Sequence, residues 1–189
     1  MSNLTILASC KLPPPIYETL KKQYGKVLTP FGLEPTGTDD PIYEDQQEVN
    51  EHNAEFQKLL SQADAIYGRL KITRDMIEKA PKLKIISLAT VGFDYIDMDA
   101  ATEHKVVVCN IPGVTTDTTA DLSFSLLMAA ARRICQLDKY VRDNGWKDFY
   151  VNTSLYGHNI AHQTLGMIGF GNIGSAVARR GHFGFNMKI

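Results

Sequence analysis

The stretch TLGMIGFGNIGSAVARR, residues 164–180, joins an apolar run to an alanine-rich run through a Gly169-x-Gly171-x-x-Gly174 turn. It reads as a buried strand, a tight reversal and a helix. Gly169 permits the sharp turn, Gly171 lets backbone amides approach a ligand without a Cβ in the way, and Gly174 lets helix and strand pack closely. The amides freed at the helix start face negative charge. The pattern is that of a phosphate cradle for a dinucleotide, formed by Gly169, Phe170, Gly171, Asn172, Ile173 and Gly174. The alternative is a glycine-rich turn closing an ordinary strand-helix unit.

Upstream of the turn, strand and helix patterns alternate from the start of the chain. Strands are expected at Leu4 to Ala8, Lys26 to Leu28, Ala65 to Tyr67, Lys84 to Leu88 and Val106 to Cys109. Between them fall helices over Ile16 to Tyr24, set up by Pro13 to Pro15, and over Asn50 to Ser61. Two shorter helices follow, one capped by Thr73 and one opened by Asp97. Such alternation forces crossovers onto both faces of a sheet, so residues 1–111 are expected to form a flavodoxin-like, doubly wound parallel α/β domain. Phe31 to Asp45 is too long for a simple turn and belongs either to an active-site rim or to a subunit contact.

Ile111-Pro112-Gly113 marks a domain boundary, because Pro112 restrains its predecessor from helix and Gly113 is a turn residue. Residues 112–189 are expected to begin a Rossmann domain. Their first element is a single long helix, capped by a Thr118-x-x-Asp121 box, with Leu122, Leu126, Ala130, Ile134, Leu137 and Val141 along one apolar stripe. Its first half is apolar almost all round, as for a helix buried between domains, against a partner subunit or in a core. The polar arm that follows interleaves Trp146, Phe149, Tyr150 and Tyr156, which suggests a subunit contact. His158 and His162 stand at helical spacing, but no acidic motif accompanies them and no metal site is expected.

Composition bounds the partners. The 189 residues are 44% apolar and 22% charged, with a formal net charge of −1. There is no basic field to gather nucleic acid, and no apolar run approaches membrane-spanning length. Cys10, Cys109 and Cys135 are far apart and odd in number, as expected of reduced thiols, and Cys109 at the end of a strand reads as a packed core thiol. The first ten residues read as a strand rather than a leader, so a cytoplasmic location is expected.

Three blocks in order, LKIISLATVGFDYID (83–97), IPGVTTDTTADLSFSLLMAAARR (111–133) and TLGMIGFGNIG (164–174), resemble the D-isomer-specific 2-hydroxyacid dehydrogenases. The later stretches NTSLYGHNIAHQTLG and HFGFNMKI are most similar to the glyoxylate, hydroxypyruvate and 2-ketogluconate reductase branch. The resemblance implies NAD- or NADP-dependent reduction of a small 2-keto acid to the D-2-hydroxy acid. It also implies a substrate domain that closes over a Rossmann domain. By the same resemblance Val91 and Gly92 offer amides to the substrate carboxylate, and Thr119 lies beside the nicotinamide end of the cofactor. Arg69, beyond the third strand on the same rim, is a candidate grip for a carboxylate. A homodimer through the long helix and arm, residues 116–163, is expected.

The chain also departs from the family pattern. Asn172 stands where many members place arginine. The family's catalytic arginine, acid and histidine are expected downstream of Ile189, so no catalytic residue is assigned and the 189 residues alone are expected to be inactive. The residue that separates NAD from NADP falls about 20 residues past the fingerprint. Rival readings are a non-catalytic dinucleotide-binding or dimerisation module, like the co-repressors that share this fold, and an inactive truncated product.

Overall fold

The structure, a computed structural model, describes residues 4–10, 12–29, 54–144 and 153–189. The expected loop at 31–45 and the aromatics Trp146, Phe149 and Tyr150 lie outside the described residues. The chain divides into two compact units, Met1–Pro112 and Gly113–Ile189.

The first unit is a five-stranded parallel sheet in the order β2-β1-β3-β4-β5. Its strands are β1 (Leu4–Ala8), β2 (Gly25–Leu28), β3 (Ala65–Gly68), β4 (Ile85–Leu88) and β5 (Val107–Cys109). Between them run helices α1 (Pro14–Tyr24), α2 (Ala54–Leu60), α3 (Arg74–Glu78) and α4 (Met98–Glu103). This is the doubly wound α/β arrangement expected from the alternation, with the strand order of flavodoxin-like sheets. Helix starts follow local chemistry. Prolines occupy the first turn of α1, where no amide is needed, the Thr73 hydroxyl accepts from the Met76 N–H, and Asp97 accepts from the Ala100 N–H at 2.8 Å.

Strand register explains the core. Leu28, Leu7, Ile66, Ile86 and Val108 fall in one row across the five strands, so all face the same side. On that side they meet Phe56 and Leu60 of α2, Met76 and Ile77 of α3, and Ala100 and Ala101 of α4. On the opposite face Ala8 packs with Leu12 and with Tyr17 of α1, and Tyr67 and Val27 lie against them. That second face is less covered toward the β5 edge, where Val107 is 57% exposed. Cys109 shares this setting and is an exposed thiol, not the packed core thiol expected from its strand. At the other end of the strands, the Thr5 N–H donates to Asp64 at 3.0 Å and the Lys84 ammonium does so at 3.1 Å. These donors hold the Asp64 carboxyl below its ordinary value.

The second unit contains α5 (Thr116–Ala131), α6 (Ile134–Asn144), a single 3-10 turn at Thr153–Leu155 and α7 (Asn172–Phe185). Three expectations need correction here. The long helix is interrupted: Arg133 adopts a left-handed φ of 55°, and the Ala131 carbonyl accepts from the His158 N–H at 2.8 Å. The Arg133 guanidinium meanwhile donates to the Ser154 carbonyl. The returning arm therefore takes the Ala131 carbonyl, an acceptor that a continuous helix would have needed, and supplies the Ser154 carbonyl to Arg133. The capping box is also absent, because Thr118 sits inside α5 with its hydroxyl on the Thr115 carbonyl, and Asp121 pairs with Arg180. Finally, the expected stripe lies off the packed face. Leu122 and Leu126 are each 60% exposed, whereas Ala120 and Phe124 are buried and Leu127, Met128 and Ala131 pack beside them.

The segment before the glycine turn is likewise not a buried strand. Its pairing is one parallel bridge, Thr164 with Lys188, and Ile168 is fully exposed. Leu165 and Met167 face the α5/α7 core while Ile168 and Phe170 face away, so the period of two is kept with one face covered.

Candidate functional site

In the first unit, three neighbouring strand ends bring together the residues singled out from the sequence. Gly68 pairs with Leu88, and the Ala89 N–H donates to the Gly68 carbonyl at 3.1 Å. Arg69, which directly follows β3 and is exposed, therefore lies on the same carboxyl edge as the 90–92 loop. The two loops are tied further on, where the Ile72 N–H donates to the Tyr95 carbonyl and the Asp97 N–H to the Ile72 carbonyl, each at 3.0 Å.

The 90–92 loop has a consistent polarity. The Thr90 carbonyl accepts from the Ile111 N–H at 3.2 Å, and the Val91 carbonyl accepts from the Asn110 carboxamide at 2.8 Å. The Gly92 carbonyl accepts from the Thr90 hydroxyl at 2.9 Å, and that hydroxyl also meets the Tyr95 phenol. A trans peptide is planar, so anchoring one carbonyl oxygen fixes the following N–H on the opposite side. Ile111 thereby sets the Val91 N–H and Asn110 sets the Gly92 N–H. Neither N–H has a protein acceptor among the described residues, and both residues are exposed. Two adjacent amides whose carbonyls are tied back are donors available to an anion. One group opposes this: Asp94 Oδ2 lies 3.4 Å from where a Cβ on Gly92 would stand. Thr90, Tyr95 and Asn110 escaped the sequence reading. The available signal was Asn110 itself, a polar residue directly after β5 and beside the loop.

In the second unit, Gly169 has φ +90°, and Gly171 precedes α7 without any side-chain cap. A Cβ on Gly174 would overlap the Gly169 carbonyl oxygen, which accounts for glycine there. A Cβ on Gly171 would meet nothing within 4 Å. The N–H groups of Asn172, Ile173 and Gly174 have no protein acceptor among the described residues, while the Ser175 N–H donates to the Gly171 carbonyl at 2.9 Å. Uncapped donors at the positive end of a 14-residue helix, with open space before them, fit a diphosphate. Thr119 is partly buried on α5, two residues from Asp117 and from Asp121. Its helix is the one α7 packs against, with Phe124 and Phe185 ring centroids 5.1 Å apart. Arg180, on α7, pairs with both aspartates and was not singled out from the sequence. No three His, Cys, Asp or Glu side chains among the described residues are grouped to hold a metal.

Comparison with known proteins gives this arrangement its context. Residues 21–173 match the family model described as D-isomer specific 2-hydroxyacid dehydrogenase, catalytic domain. A glyoxylate reductase of Korarchaeum cryptofilum is 48% identical over 118 residues, which cover 62% of this chain and 35% of the relative. Glyoxylate/hydroxypyruvate reductase B of Escherichia coli is 37% identical over 132 residues, covering 69% and 40%. Among solved structures, an acyclic imino acid reductase in complex with NADPH and D-Arg superposes with a TM-score of 0.75 at 27% identity, covering 98% of this chain and 55% of that one. The matched segment thus spans well under two thirds of each of these proteins. With its family model matched over most of its length and its sheet and glycine turn in the expected order, the chain belongs to the D-isomer specific 2-hydroxyacid dehydrogenase family.

Proposed function

We propose that the protein carrying this chain reduces a small 2-keto acid, such as glyoxylate, hydroxypyruvate or 2-ketogluconate, to the D-2-hydroxy acid with NADH or NADPH. Residues 1–111 act as the substrate domain, and residues 112–189 contribute to the dinucleotide-binding domain. The observation that carries the reading is the 90–92 loop, whose three carbonyls are engaged while the Val91 and Gly92 amides remain open.

In this reading the Val91 and Gly92 N–H groups hold the substrate carboxylate, with Arg69 adding a cation at the same rim. The first amides of α7, on the Gly169–Gly174 turn, hold the pyrophosphate, and Phe170, Asn172 and Ile173 complete that cradle. Thr119 borders the nicotinamide end. A bound nicotinamide supplies the hydride, and the task of these residues is to orient two anionic ligands and to stabilise their charge. Relatives named as glyoxylate reductases and a structural neighbour solved with NADPH support both halves.

The experiment is a pair of titrations on the isotope-labelled chain. Glyoxylate should move the Val91 and Gly92 amide resonances, and NADH or NADPH should move those of Asn172 to Gly174. Saturating ligand that leaves both sets unmoved would refute the reading. The proposal includes a homodimer through residues 116–163, supported by Leu122 and Leu126 at 60% exposure and Ile134 at 53%. Sedimentation of Leu122→Glu/Leu126→Glu, expected to be monomeric, checks it. A reducing, cytoplasmic setting suits Cys10, Cys109 and Cys135, none of which is in a disulfide.

A further inference from the structure

Arg180 makes a set of contacts that the apolar packing around it does not require. Its Nε donates to Asp121 Oδ1 at 2.7 Å, and its Nη2 lies 2.5 Å from the same oxygen. Nη2 also reaches Asp117 Oδ1 at 3.2 Å and the Asp117 carbonyl at 3.3 Å, while Nη1 donates to the Ala176 carbonyl of its own helix at 3.0 Å. The guanidinium thus holds α7 to the first turns of α5 at two positions, on either side of Thr119. Its side chain is 25% exposed, so water partly screens the pairs.

Apolar contact between α5 and α7, through Ala120, Phe124, Ala176, Val177 and Phe185, sets their separation but is non-directional. Sliding in such packing is resisted by side-chain interdigitation, and a charged group bridging the two helices adds a directional restraint to it. A planar fork on α7 engaged with two carboxylates and one carbonyl of α5 holds the register directionally. Arg180 lies eight residues beyond Asn172, roughly 12 Å along the helix at 1.5 Å per residue, so it stands well away from the amides of the glycine turn. Its effect on a ligand must therefore pass through helix placement.

We propose that Arg180 is a positioning residue that fixes α5 against α7, and so places Thr119 at a set distance from the amides of the glycine turn. The inference rests on the dinucleotide reading given above and adds a specific consequence. A ligand that touches only the cradle is insensitive to that distance, whereas one that spans from the cradle to Thr119 is sensitive. Exposed or half-exposed ion pairs contribute little to folding stability, so the two effects separate.

The test compares the affinities of NADH, NADPH and ADP for the 189-residue chain and its variants by calorimetry, with melting curves alongside. ADP carries the diphosphate without the nicotinamide end. Arg180→Ala should weaken NADH or NADPH by about five- to tenfold while leaving ADP within about twofold. Arg180→Lys should recover only part of the loss, because an ammonium cannot engage both carboxylates in one plane. If Arg180→Ala does not fold, Asp121→Asn, which weakens the same clamp from α5, is expected to show the same selective loss. Equal weakening of dinucleotide and ADP, or weakening of neither, would overturn the inference while leaving the dinucleotide reading intact. A wild-type chain that binds none of the three nucleotides would remove that reading, and the inference with it.

Discussion

Asn110→Ala isolates one half of the proposed carboxylate cradle. Asn110 donates to the Val91 carbonyl at 2.8 Å, and that carbonyl shares its peptide plane with the Gly92 N–H. Truncating the carboxamide releases the plane, while the Ile111 N–H stays on the Thr90 carbonyl and continues to hold the Val91 N–H. A hydrogen bond from an amide to a carboxylate contributes about 1.5–3 kcal/mol, of which a freely rotating peptide keeps a part. A loss of roughly 1.4 kcal/mol, or about tenfold in affinity for glyoxylate or the inert dicarboxylate oxalate, is therefore expected.

Folding should suffer less, since a single hydrogen bond at this partly exposed position contributes about 0.5–1.5 kcal/mol. Calorimetric titration with oxalate gives the affinity, the melting temperature gives the stability, and the Gly92 amide resonance reports the loosened plane. Asn110→Asp should lose more than Asn110→Ala, because it sets an anionic oxygen against the Val91 carbonyl and adds negative charge at the cradle. Unchanged oxalate affinity in Asn110→Ala, with the protein folded, would refute the claim that Asn110 orients the Gly92 donor.

Asp94→Asn removes the carboxylate beside Gly92 and should tighten oxalate binding by a few-fold at low salt, an effect that fades as salt screens it; weaker binding would mean that Asp94 assists the loop. Gly174→Ala drives a Cβ into the Gly169 carbonyl and should displace the turn, costing about 1–3 kcal/mol of stability and most of the NADH and ADP affinity; intact nucleotide binding would place the ligand elsewhere. Asp64 titrates below its ordinary value because the Thr5 amide and Lys84 favour its charged form. The stability it contributes is present above the unfolded-state value and is lost as pH falls through the folded value. Asp64→Asn should accordingly flatten the acid limb of stability against pH, and an unchanged limb would count against this.

What the sequence disclosed, and what it did not, divides along the range of the interactions. Strand positions were readable because Leu7, Ile66 and Ile86 sit in short apolar runs bounded by turn residues, and alternation with helices fixed the parallel order. Thr73 and Asp97 were readable as caps because each bonds an amide three residues on. By contrast, the hold of Asn110 on Val91 spans nineteen residues, and that of Arg180 on Asp117 spans sixty-three. No local pattern encodes either. The interruption at Arg133 fails to show for the same reason, since it depends on His158 and Ser154 arriving from the arm. The stripe on α5 was misplaced because a helix apolar almost all round has no periodicity to say which face meets α7.

The two candidate anion sites solve one physical problem in different ways. A chain of net charge −1 has no general field to attract a keto acid or a dinucleotide, so attraction has to be local. Backbone amides can supply it only where their usual acceptors are taken away. At the glycine turn the helix does this by construction, leaving the Asn172, Ile173 and Gly174 donors without partners and placing no side chain at Gly171 to cap them. At the 90–92 loop there is no helix to align the peptides, and the same result needs two donors from outside the loop, the Ile111 N–H on the Thr90 carbonyl and the Asn110 carboxamide on the Val91 carbonyl, while the loop's own Thr90 hydroxyl holds the Gly92 carbonyl. The first device survives most side-chain changes outside its glycines. The second does not, which is why substitutions around the carboxylate loop, at residues that need never touch substrate, are the sharper test of what this chain binds.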